Sequence, residues 1–280
     1  RDRREQALED TGMLEKGAKG EATTQEVFDY YLASLLNPSI SPRFSLLDTT
    51  EMGYATNWGM ETVLDDTRAV VQRARRAGKR VILGGHSVGA SLAISYAAWD
   101  FNGRPGYRDL DGLVLIDGGL LGSFDPYNLP QAQEAMGKIE DPAIGPFSRL
   151  IDGYPAETAG LFAGVGGLFA KVAPTDPATQ LQNYPILPGN LKPPYPATNQ
   201  ALFGHDFDRD TSPPELSSLH VNAGSLAPAE PAPADWIDGG ITPIANLATT
   251  FSQQPVNAVD WYFPTRITID ANGADQMRMN

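Results

Sequence analysis

The chain has 280 residues, 41% hydrophobic and 20% charged, with a formal net charge of −13 and a pI near 4.6. That length can bury a full core as one large domain or as a domain with a substantial insertion, and the acidic balance argues against nucleic acid or anionic membranes as partners. The absence of cysteine excludes disulfides and thiolate metal sites, and no apolar run reaches the ~18 residues that suggest a membrane span.

The predicted elements begin with polar, helical sequence over residues 1–35. Thr24 is expected to cap a helix that carries Glu26 in its first turn, and Val27, Phe28, Tyr31, Leu32 and Leu35 recur at helical spacing. A second helix reads from "METVLDDTRAVVQRARRAG", with Val63, Leu64, Val70, Val71, Ala74 and Ala77 on one stripe. Its acids (Glu61, Asp65, Asp66) come early and its bases (Arg73, Arg75, Arg76) late, as the helix dipole favours, and Gly78 stands where a left-handed cap belongs. The basic run from Arg73 to Arg80 is therefore accounted for at a helix end and does not argue for nucleic acid.

"KRVILGG" follows, a short apolar run closed by glycines, which reads as a buried parallel strand. "ASLAISYAAWDF" is helical and rich in small residues, and "GLVLIDGG" is a second buried strand. Helix, strand, helix, strand in that order predicts an α/β fold with a parallel sheet. From Ser123 to Pro264 prolines and glycines crowd in, yet stretches such as "GLFAGVGGLFAKV" stay apolar, so this part is expected to be a folded, largely helical insertion. "RITID", from Arg266, begins the return to the core. The expected division is a core segment over 1–122, an insertion over 123–264 and the return over 265–280.

Gly85-His86-Ser87-Val88-Gly89 fits the pattern G-x-S-x-G. The bare pattern is weak; its context is what discriminates, since a nucleophile elbow must follow a buried strand and open a helix, and this one does both. A side chain at either flanking glycine is expected to clash with the neighbouring strand or helix. At such an elbow Ser87 attacks an acyl carbon and the Val88 N–H donates to the developing oxyanion. The competing reading is a structural Gly-Ser turn.

These residues carry a resemblance. From Asp2 to Gly119, through "DRREQALEDTG", "YYL", "GGHSVGASLAISYAAWDF" and "GLVLIDGG", the chain resembles the α/β-hydrolases, and among them the lipase- or lysophospholipase-like bacterial enzymes with a long cap. The resemblance implies a partial α/β-hydrolase sheet with residues 123–264 as a mostly helical cap. It also implies that the first strands and a second oxyanion donor precede Arg1 and that the catalytic histidine follows Asn280, so the chain is expected to be an internal piece of a longer protein.

Only three histidines are present. His86 adjoins Ser87, and its side chain is expected to point behind the sheet as a packing residue. His205, in "FGHDFDRDTSPP", reads as part of a polar loop, and His220, in "SSLHVNAGS", as a short extended segment. Both remain open as the base or as solvated residues, because a triad asks only for spatial proximity. Asp117, at the carboxyl end of "LVLID", is the first candidate for the acid, the alternative being a turn cap; Asp260 and Asp270 are weaker candidates. "HDFDRD" lacks the glycine and distal glutamate of a calcium loop, so no metal or cofactor is expected. The expected activity is hydrolysis of a small-molecule carboxylic ester, with a lipid-like acyl group suggested by the Phe, Leu and Tyr content of 123–264. A non-catalytic binding protein with an incomplete triad is the alternative. Oligomeric state and compartment have no signal in the residues.

Overall fold

The computed structural model describes residues 4–45, 48–118, 128–149, 156–212, 221–252 and 262–272. Its helices are α1 Gly12–Lys19, α2 Thr24–Phe28, α3 Ser34–Leu36, α4 Met60–Arg76, α5 Val88–Ala98, α6 Leu129–Glu140, α7 Ala156–Val172, α8 Thr179–Gln182, α9 Asn199–Phe207, α10 Ile244–Phe251 and α11 Thr265–Asn272. Its strands are β1 Ile82–His86, β2 Gly112–Ile116, β3 Phe147–Arg149, β4 Gly224–Leu226, β5 Trp236–Asp238 and β6 Tyr262–Pro264. The chain divides into two compact units, Asp48–Ser148 with Phe263–Asn280, and Asp2–Leu47 with Arg149–Tyr262.

The first unit holds the motif. Its α4 is the expected helix: Val63, Leu64 and Val71 of the stripe are buried together with Met60, whereas Val70 and Ala77, expected on the same stripe, are exposed, and Gly78 takes the left-handed conformation at φ 71. Gly78 N–H donates to Arg75 O (2.9 Å) and Lys79 N–H to Ala74 O (3.1 Å), the paired bonds of a Schellman stop. At the other end the Asp270 carboxylate of α11 accepts from Met60 N–H at 2.9 Å. It satisfies one of the donors that the helix start leaves without a partner.

After the stop the chain enters β1, which pairs in parallel with β2 in the register Ile82↔Gly112 through His86↔Ile116. Between them α5 crosses back over the sheet, and Tyr96, Trp99 and Phe101 join Met60, Leu64, Val71 and Val81 in the core of this unit. Burying side chains of this size stabilises by about 1.5–3 kcal/mol each. The helix–strand–helix–strand order is thus observed, but the expected burial of the strands is not. Ile82, Val114 and Ile116, on the face away from α5, are 63%, 48% and 55% exposed. The continuous apolar run required a cover on both faces, and even on the face toward α5 Leu113 and Leu115 are 40% and 44% exposed, so among the described residues α5 covers that face only in part.

The second unit is built around α7, whose Leu161, Phe162, Ala163, Val165, Leu168 and Phe169 are all buried. A helix apolar on every side must be enclosed, and α1, α9 and α10 pack against it. The N-terminal helices belong here. Thr23, one residue before the expected cap, starts α2 with a capping box in which its hydroxyl oxygen accepts from Glu26 N–H and Glu26 accepts from Thr23 N–H. Tyr31 O–H donates to Asp10 O (2.9 Å) and accepts from Leu14 N–H (3.3 Å), tying α1 to the segment after α2. Beside it Tyr30 O–H bonds the Asp10 carboxylate, and burial with that charge pushes its phenol up to about 12. Two short strands, β4 and β5, pair antiparallel.

Candidate active site

Ser87 sits between the last residue of β1 and the first of α5 with φ 53 and ψ −123. A serine rarely takes this conformation, which costs of order 1–3 kcal/mol unless the surroundings impose it. The sequence dictates the turn locally. Gly85 faces α5 so closely that a Cβ there would lie 2.0 Å from Gly89 O, so a residue with a side chain would push the helix off the strand. Gly89 differs from expectation: a Cβ at that position would meet nothing within 4 Å. The close approach is made by the backbone of Gly89 toward Gly85, so only the first glycine is sterically required.

The serine side chain is exposed. Ser87 N–H donates to Ile116 O (3.0 Å), and Ser87 O accepts from Ala90 N–H (2.9 Å) and Ser91 N–H (3.4 Å). The Val88 N–H, at the first helical position, makes no hydrogen bond among the described residues, as the geometry of a helix start leaves it. It is a free donor on the residue next to the serine, where the α5 dipole favours negative charge.

Asp117 stands one residue past the end of β2, as Ser87 stands one residue past the end of β1, and strands of a sheet lie about 4.8 Å apart. Asp117 also has positive φ, 44, and its side chain is exposed. The structure therefore brings Ser87, Val88 and Asp117 to one end of the parallel pair. His86 is exposed on the face opposite Gly85, and no histidine among the described residues hydrogen-bonds Ser87.

The other sequence candidates lie elsewhere. His205 belongs to the second unit and lies within α9 rather than in a polar loop; burial pulls its imidazole below the usual histidine range, and among the described residues its Nδ1 has no hydrogen-bond partner. In "HDFDRD", Asp208 accepts from the backbone N–H groups of Ala223 (2.9 Å), Gly224 (3.1 Å) and Asp210 (3.0 Å), a structural role. Asp270 is the α4 cap and is paired with Arg266. His220, Asp260 and Gly119 lie outside the described residues. Among the described residues no group of three or more His, Asp or Glu side chains could hold a metal ion, and no helix is long and apolar enough to cross a membrane.

The motifs of the sequence leave two residues, Gly118 and Asp206, without a role. Gly118 lies against the Ser87 carbonyl, and the signal for it was the glycine pair after the second strand. Asp206 is a buried carboxyl in α9 whose Oδ1 has no partner among the described residues, and the helical spacing of Leu202, Phe203 and Phe207 around it could have revealed it.

A model of the alpha/beta hydrolase family matches residues 22–252, a span that contains the elbow, β2 and most of the second unit. No curated protein and no solved structure matches the chain. The family match bears out the α/β-hydrolase fold expected from the elbow and supports hydrolysis of a small-molecule substrate as the general reaction class. The chain belongs to the alpha/beta hydrolase family.

Proposed function

We propose that the protein is a serine hydrolase that cleaves a carboxylic ester through an acyl-enzyme, with Ser87 as nucleophile. The observation that carries this reading is the backbone of Ser87: a non-glycine residue held at φ 53 between a strand and a helix, its side chain exposed and the Val88 N–H beside it free among the described residues. Strain of this kind persists where the surroundings over-determine it, and it concentrates at reactive sites. In the proposed reaction Ser87 Oγ attacks the ester carbonyl carbon as a histidine removes the hydroxyl proton. The Val88 N–H stabilises the resulting oxyanion, the alcohol leaves with the proton, and water hydrolyses the acyl-enzyme. Asp117 orients the histidine, and His205 and His220 are the candidates for it within the chain.

Residues 123–264 act as the cap in this reading. Their aromatic residues gave the expectation of a lipid-like acyl group, but Phe162, Phe169, Tyr184, Phe203 and Phe207 are buried in the core of the second unit. The acyl preference therefore rests on a chain-length profile: faster cleavage of long acyl esters than of acetyl esters supports a lipid-like substrate, and the reverse removes it.

Intact-mass labelling with a fluorophosphonate tests the nucleophile directly. One adduct per chain, absent in Ser87→Ala, is expected. Its loss in His205→Gln or His220→Gln would name the base. A folded chain that takes no label would instead favour a fold kept for binding.

A further inference from the structure

We propose that Gly118 is a positioning residue for the nucleophile: the turn after β2 clamps the peptide that joins Ser87 to Val88 and so aims the oxyanion donor. This inference rests on the reading of Ser87 given above. An added Cβ at Gly118 would lie 2.3 Å from Ser87 O, 2.9 Å from Ser87 C and 3.0 Å from the Ala90 methyl. The first two contacts are with backbone, which has no flexible end to move aside.

The clamp has two sides. On one, Ile116 O accepts from Ser87 N–H (3.0 Å), and Gly118 closes over the Ser87 carbonyl. On the other, Ala90 N–H and Ser91 N–H from the first turn of α5 hold the same carbonyl oxygen. A strand that continued straight past Ile116 would carry the chain onward by about 3.3 Å per residue. The positive φ of Asp117 bends it instead, and the bend brings Gly118 over the elbow. Two residues with positive φ, Ser87 and Asp117, each one past the end of adjacent strands, thus form one device.

Its consequence follows from the planarity of the peptide bond. Ser87 C=O and Val88 N–H share one rigid plane and point in opposite directions. Fixing the carbonyl therefore fixes the direction of the only free donor on the residue beside the nucleophile. A methyl group at Gly118 would meet the Ser87 carbonyl first and so turn that plane.

The test compares the rate of fluorophosphonate labelling in the wild type, Gly118→Ala and Gly112→Ala. At Gly112 an added methyl meets only Ile82 Cγ1 at 3.8 Å. Gly118→Ala is expected to label roughly 10- to 100-fold more slowly while folded, since a misaimed oxyanion donor forfeits part of what a deleted one does. Gly112→Ala should keep the wild-type rate. Equal rates in all three chains would overturn the clamp. If Gly118→Ala does not fold, adding Ser87→Gly should restore folding, because glycine accepts the turned peptide; a double variant that stays unfolded counts against the inference. If the wild type takes no label, the nucleophile reading fails and the clamp is judged on the Ser87 amide instead. Slow hydrogen exchange there that becomes fast in Gly118→Ala supports it, and identical exchange sinks it.

Discussion

Ser87 holds a backbone conformation that glycine would adopt with less cost, and this separates its chemistry from its contribution to stability. Replacing it by alanine removes the hydroxyl and keeps the strain; replacing it by glycine removes both. Strain of order 1–3 kcal/mol is relieved, while the greater freedom of glycine in the unfolded chain takes back up to about 1 kcal/mol. Ser87→Gly is therefore expected to exceed Ser87→Ala in stability by about 1 kcal/mol in urea titrations, although neither should react with a fluorophosphonate. A less stable Ser87→Gly would mean that the positive φ is not strained in solution. At this scale the sequence was informative about residue types and uninformative about contacts. The elbow was legible because its pattern demands a strand before and a helix after. The open space at Gly89 and the tight approach at Gly118 were not, since both depend on how the ends of two strands and a helix meet.

Among the elements, α4 and α9 mark the two limits of what the chain reveals in advance. Helix α4 has one apolar stripe, acids first and bases last, and a glycine stop, so each local signal agrees with the next. Helix α9 has apolar residues interrupted by "GHD" and so resembles a polar loop. The structure buries it regardless, Asp206 included, because tertiary packing against α7, α10 and β4 outweighs the local preference. Burial raises the Asp206 carboxyl well above its ordinary value of 3.8 and lowers the His205 imidazole from 6.5. For Asp206 the folded state keeps a proton that the unfolded chain has lost. Its contribution is complete below about pH 3.8 and is lost as pH rises toward the folded-state value, with a slope of at most about 1.4 kcal/mol per pH unit. His205 acts in the opposite sense, losing stability as pH falls below 6.5. Asp206→Asn should remove the loss that sets in as pH rises above about 3.8 and leave the His205-linked loss below pH 6.5 in place, as read from urea midpoints at several pH values. Parallel profiles for the two proteins would show that the carboxyl finds a partner in solution.

For the whole molecule, the family and the parallel order of β1 and β2 were legible, because alternating helix and strand signals leave few other topologies. The grouping of residues 2–47 with 149–262 had no local signal at all; it rests on contacts such as Tyr184 O–H to Leu32 O, 2.7 Å in space and 152 residues apart in sequence. The exposure of the sheet departs from the buried strands expected, and it has a colloidal consequence. Ile82, Val114 and Ile116 form an exposed aliphatic strip, uncovered among the described residues, on a pair of parallel strands, a surface that adheres to its like. The opposing force is long-range repulsion from a net charge of −13. Salt weakens the second force and leaves the first in place, since the Debye length shrinks from ~30 Å at 0.01 M to ~8 Å at 0.15 M. Light scattering from the purified chain should therefore rise with ionic strength, and Val114→Lys should suppress the rise while leaving fluorophosphonate labelling intact. Scattering that stays flat with added salt would mean the strip is covered in solution. If it rises, the ionic strength of the buffer sets whether single molecules or assemblies reach any assay of this chain.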